Sequence, residues 1–157
     1  MSEMMRREFR VSLGFDFFPK KYTCDGEGVS PPIRLEGLSG RCWLALLMED
    51  IDAHFDVVTH WVAWNVLLEG NMIPEGIPKK LITREPVRAM QGRNDFGKIG
   101  YSGPCPPRGE THRYRLTVYL LRDEIDTLIA GSPRSLVEKE LRRYAIGFSD
   151  AVAAYGR

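Results

Sequence analysis

Apolar residues along this chain come in short runs separated by glycine and proline, and most of these runs have the length and two-residue period of β-strands. Strands are expected at residues 9–11, 33–35, 43–48, 57–67 and 114–121. The 43–48 stretch, Trp43-Leu-Ala-Leu-Leu-Met48, is apolar throughout, as in a strand covered on both faces. The 114–121 stretch alternates instead: Tyr114, Leu116, Val118 and Leu120 share one face, with Arg113, Arg115 and Thr117 on the other, the pattern of a half-buried strand.

One segment carries helical periodicity. It begins at Ser132-Pro133 or at Ser135, where Ser135 and Glu138 have capping-box spacing and Pro133 suits a first turn. Leu136, Val137, Leu141, Tyr144, Ala145 and Phe148 would form its buried stripe. Gly147 is expected to end or weaken it, leaving residues 148–155 as either a frayed extension or a closing strand. The sum is a mainly β architecture of antiparallel sheets with one or two short helices. No repeat, charge block or low-complexity linker divides the chain, so residues 1–157 are expected to form a single domain.

With 43% hydrophobic and 10% aromatic residues the chain can build a sizeable core, which argues against disorder. Its 22 basic and 21 acidic side chains leave a formal charge of +1, no electrostatic footprint for a nucleic-acid backbone. Neither the apolar run of a signal peptide at residues 1–8 nor a transmembrane stretch is present, so a cytoplasmic protein is expected. Cys24, Cys42 and Cys105 are odd in number and widely spaced, which favours reduced thiols over a disulfide framework or a structural zinc site.

Candidate chemistry is concentrated where all three histidines fall. In Asp50-Ile-Asp-Ala-His54, an extended backbone would project Asp50, Asp52 and His54 to one side. A period of two puts His60 on a face with Val58, Val62 and Trp64, where an imidazole needs a partner; Asp50 and Asp52 are the acceptors expected to orient it and favour its charged form. In the second segment, Gly103-Pro-Cys-Pro-Pro-Arg-Gly109 should be a stiff loop and a good pocket wall, with His112 sharing the inward face of Tyr114 and Leu116. No tight metal spacing accompanies these groups, so neither a metal nor a cofactor is expected. Cys105 between two prolines lacks a helix N-terminus to activate it, and Ser102 lacks the second half of a nucleophile elbow, so no enzyme motif stands out.

These segments resemble signatures of the phosphatidylethanolamine-binding, or Raf kinase inhibitor protein, family, and its short bacterial and archaeal branch in particular. Asp50-Ile-Asp-Ala-His54 resembles D-P-D-A-P, His60-Trp-Val-Ala-Trp-Asn65 resembles H-W-V-x-x-N, and Tyr101 to Gly109 with His112-Arg-Tyr114 resembles G-x-x-P-P-x-G followed by H-R-Y. Tyr22 to Pro32 and Arg93 to Tyr101 extend the likeness over nearly the whole chain. The resemblance implies an antiparallel β-sandwich-like fold and a small pocket at one end that accepts anionic groups such as phosphate, carboxylate or a phospholipid headgroup. Carried over by position, Asp50, Asp52, His60, Pro106 and His112 would line it, with Cys105, Tyr114 and His54 at its edge. Binding is the expected activity. Inhibition of a partner kinase or protease and a weak phosphoester or ester hydrolase are the alternatives. Ile51 and His54 replace both prolines of the first motif, removing its stiffness. The long C-terminal helix of eukaryotic members is expected to be absent, which would leave the pocket mouth open or covered by a second subunit, and Phe55, Trp61 and Trp64 are expected either to pack inside or to feed a homodimer surface.

Overall fold

The computed structural model describes residues 9–157; the leader-free reading of residues 1–8 lies outside the described residues. In chain order the elements are β1 (Arg10–Ser12), a 3₁₀ turn (Lys20–Tyr22), β2 (Ile33–Glu36), β3 (Arg41–Asp50), β4 (Val58–Glu69), β5 (Met72–Ile73), β6 (Ile82–Thr83), β7 (Ala89–Gln91), β8 (Thr111–Leu121), α1 (Arg134–Tyr144) and β9 (Ala145–Gly156). Strands β1-β2-β5 form a small sheet, and β6-β7-β4-β3-β8-β9 form a large one. Neighbouring strands in both run antiparallel.

The continuous apolar run in β3 has a direct physical cause. Leu44, Leu46 and Met48 point into the core shared with the small sheet, together with Ile33, Leu35, Trp61 and Tyr114. Ala45 and Leu47 point the other way, into a second core closed by Val137, Leu141 and Tyr144 of α1. Both Trp61 and Trp64 are fully buried, one in each core, and so are unavailable to a dimer surface, whereas Phe55 is wholly exposed.

The structure corrects the expected cap and buried stripe of the helix, since Ala145 and Phe148 lie in β9 beyond its end, and it settles the open choice for the tail. Helix α1 starts after Pro133 with no side-chain cap, because Ser135 already lies within the helix, and Leu136 is exposed rather than part of the buried stripe. The tail is a closing strand: β9 pairs with β8 along its length from Leu121↔Ala145 to Thr111↔Gly156. Its alternation, with Gly147, Ser149, Ala153 and Tyr155 buried, is a strand period that the adjoining helix had masked.

The expectation of reduced thiols is also overturned. Cys24 and Cys105 form a disulfide across 81 residues of chain, leaving Cys42 as the free cysteine. The odd count hid one bonded pair plus one bystander. The bond staples the 22–28 segment to the proline-rich loop, beside hydrogen bonds from Cys24 N to Pro104 O (3.1 Å) and from the Tyr101 hydroxyl to Tyr22 O (2.6 Å). The two segments meet so closely that a Cβ at Gly103 would run into the Tyr22 carbonyl oxygen. Among the described residues, no helix is long and apolar enough to cross a membrane.

Candidate functional site

Two irregularities in β4 shape the site. Met48 pairs with Trp61 but Glu49 pairs with Thr59, so His60 is the extra residue of a β-bulge. The bulge takes His60 off the face of Val62 and Trp64 and turns its ring edge-on to Tyr114, with ring centres 5.3 Å apart. A second register shift lies between Leu44↔Val66 and Leu46↔Ala63, where Asn65 has φ of 50° and clamps Ile125 through both its backbone O (2.7 Å) and N (2.7 Å). The first and last residues of His60-Trp-Val-Ala-Trp-Asn65 thus mark places where the ladder slips.

His60 is buried, and its Nδ1 donates to the Ser102 carbonyl oxygen at 2.7 Å. A carbonyl can only accept, so Nδ1 carries the proton and the neutral ring keeps Nε2 as an acceptor. Burial pushes this imidazole below its ordinary value, and the Ser102 hydrogen bond and the charge of Asp50 only partly offset it. The expectation of a His60 favoured as a cation is therefore reversed, since desolvation outweighs the acid.

His112 sits in the opposite environment. Asp50 and Tyr114 are direct cross-strand partners, and Asp50 reaches diagonally to His112, whose Nδ1 donates to Asp50 Oδ2 at 2.7 Å. Its Nε2 donates to Glu110 Oε1 at 2.8 Å, and the same oxygen lies 2.7 Å from His54 Nε2. Burial is the largest single influence on His112 and lowers it, yet the hydrogen bonds to Asp50 and Glu110 together outweigh burial and raise it. Glu110 in turn is held below its usual range by His112 first and His54 second.

Asp52 does not join this cluster. Strand β3 ends at Asp50 and the chain turns, with Asp50 Oδ1 accepting from Asp52 N at 2.9 Å, which breaks the extended geometry that would have aligned Asp50, Asp52 and His54. The Asp52 carboxylate accepts from the Arg113 backbone N (2.8 Å) and its guanidinium Nε (2.9 Å) and Nη2 (2.8 Å), which holds it down at about 2. Pro106 is buried and its carbonyl faces Arg157 Nη1 at 3.4 Å. The structure thus brings Asp50, His112, His54, Tyr114 and His60 to one end of the large sheet and turns Asp52 outward.

Beside His60 opens a cleft of about 460 Å³ lined by, among others, Lys79, Phe96, Lys98, Ser102, Gly103 and Cys105. Phe96 connects the two, packing edge-on against His60 with ring centres 5.0 Å apart. Asn94 builds this wall: its amide nitrogen donates to Gly100 O (3.0 Å) and Ser102 Oγ (2.9 Å), and its oxygen accepts from Phe96 N (2.9 Å) and Lys98 N (3.2 Å). Burial lowers Lys79, and the like charge of Lys98 lowers it further. Sequence reasoning missed Glu110, Lys79, Lys98 and Asn94. Glu110 had a signal, since it lies one strand period before His112; the lysines had none, because only the fold sets Lys79 across from Lys98.

The fold and this end of the sheet define an antiparallel β-sandwich protein with a polar, histidine-lined tip. A family model described as phosphatidylethanolamine-binding protein matches residues 13–155, and the chain belongs to that family. A UPF0098 protein of Pyrococcus abyssi is 45% identical over 144 residues, covering 90% of this chain and 80% of that one. A UPF0098 protein of Aquifex aeolicus is 38% identical over 157 residues, covering 99% and 88%. Among solved structures, YbcL of E. coli, described as a new member of the mammalian PEBP family, superposes with a TM-score of 0.82 at 27% identity, covering 96% of this chain and 99% of that one.

Proposed function

We propose that the chain binds a small anion, a phosphate or carboxylate free or carried on a lipid headgroup, in the cleft beside His60. The observation that carries this reading is the pair of lysines. Lys79 and Lys98 both line the cleft, against a single acid, Glu27, on the same wall, and the charge of Lys98 disfavours the protonated form of Lys79. Two cationic side chains lining one cleft favour an anionic ligand there. His112, which family resemblance puts in the anion pocket, already has both ring nitrogens committed to carboxylates, so the positive charge for an anion comes from the lysine side.

Binding is favoured over turnover by the state of the groups weighed as nucleophiles or bases. The Cys105 sulfur is in a disulfide, the Ser102 hydroxyl accepts from Asn94, and Asp52 is saturated by Arg113. The test is calorimetric titration of the full chain with inorganic phosphate and with phosphoethanolamine. Lys79→Ala with Lys98→Ala should weaken both by about tenfold or more, the equivalent of one charge-assisted hydrogen bond of about 1.5 kcal/mol. Flat isotherms for the native chain, or unchanged affinity in the double variant, refute the reading.

A further inference from the structure

We propose that His54, Glu110 and His112 form a site for a divalent transition-metal ion of the zinc class, with Asp50 as the outer partner that orients His112. One ligand atom from each of the three lies within 4.8 Å of the others. Both imidazole Nε2 atoms converge on a single carboxylate oxygen, at 2.7 Å from His54 and 2.8 Å from His112. Two imidazole nitrogens and one carboxylate oxygen are a donor set that zinc accepts and that also suits iron, while calcium and magnesium call for oxygen-rich shells.

The support behind the ligands is as telling as the ligands. His112 is rigid: it is buried on β8, and its Nδ1 donates to the buried Asp50 carboxylate at 2.7 Å. That bond fixes the ring, and when a metal ion displaces the Nε2 proton, released to solvent, Nε2 gives its lone pair to the ion, the carboxylate–histidine–metal arrangement that typically accounts for roughly 10–100-fold of metal affinity. The other two ligands are free to adjust, with side chains 58% (His54) and 35% (Glu110) exposed on loops flanking β8 and β4. Tetrahedral zinc with bonds of about 2.0–2.1 Å spaces its ligand atoms about 3.4 Å apart, so Glu110 swings outward and the exposed His54 adjusts to set its distance from His112. An ion held by three protein atoms keeps a fourth position for water or an anion. His54 stands where the resembled family motif has proline, so the site belongs to this chain's departure from that motif.

None of the three residues lines the lysine cleft, so this site and the anion reading stand or fall separately. The experiment strips the tag-free chain with a chelator, removes the chelator, and titrates Zn²⁺ by calorimetry and Co²⁺ by visible absorption. One equivalent should bind, with the ligand-field bands of four-coordinate Co²⁺. His54→Ala and Glu110→Gln, at an exposed and a partly buried loop position, should keep the native circular dichroism and each weaken the ion at least tenfold; Lys79→Ala with Lys98→Ala should leave metal affinity unchanged. The proposal is overturned if no ion binds, if the double variant His54→Ala/Glu110→Gln binds as tightly as the native chain, or if binding vanishes with Cys42→Ser instead.

Discussion

His60 and His112 are both buried, at 3% and 6% exposure, within the same end of one sheet, yet their imidazoles shift in opposite directions. His60 meets a backbone carbonyl, and its neutral form is favoured; His112 meets two carboxylates, and its charged form is favoured. The difference teaches that burial alone does not set a histidine's charge. An acceptor dipole offsets desolvation only in part, whereas two anions exceed it.

Removing the anion behind His112 is the harshest way to break this contrast. Asp50→Ala would leave the His112 charge half-satisfied in a buried place and should destabilise the fold by about 3–5 kcal/mol, read from the shift in urea midpoint. A loss below 1 kcal/mol would mean that the pair contributes little. On the His60 side the corresponding blow is to the stapled wall that presents the Ser102 carbonyl. Cys24→Ser with Cys105→Ser opens a loop of 81 residues and should cost about 2–4 kcal/mol. The same variant should alter the His60 ring resonances while leaving those of His112 in place.

The contrast itself can be measured directly. In an NMR titration of the ring protons, His60 should titrate below the unperturbed value of about 6.5 and His112 above it. The consequence for stability follows in sign. Because the folded-state value of His60 is depressed, the unfolded chain takes up that proton first as pH falls; the His60 contribution to stability is intact above about 6.5 and is lost as pH drops through the folded-state value, whereas that of the raised His112 is lost as pH rises. His60→Asn should flatten that decline, and a decline of equal steepness in the variant would assign it elsewhere. The smallest effect belongs to the outward-facing acid. Asp52→Ala breaks a half-exposed pair with Arg113 and should cost no more than about 1 kcal/mol at neutral pH in a chemical melt.

What was legible in the sequence follows from how local each signal is. Short apolar runs marked β1, β2, β3 and β4 and alternation marked β8, because both are properties of neighbouring residues, but the two-residue strands β5 and β6 are too short to show a pattern and exist only through their partners. Strand β9 was left open because its first residues continue the apolar stripe of α1, and only pairing with β8 decides their conformation. Asp50, His60, His112 and Tyr114 stood out as a motif; the partner of each did not.

By itself the chain determined its mainly β character, its family and the residue types gathered at the sheet's end, because side-chain chemistry and a two-residue period are written in consecutive positions. Tertiary structure alone decided which acid serves which histidine. A one-residue bulge turned His60 away from its expected face, a turn after β3 gave Asp52 to Arg113, and chain closure brought Cys24 to Cys105 and Glu110 between His54 and His112. Those outcomes depend on register and on contacts between distant segments, where a slip of one position reverses the direction of a side chain.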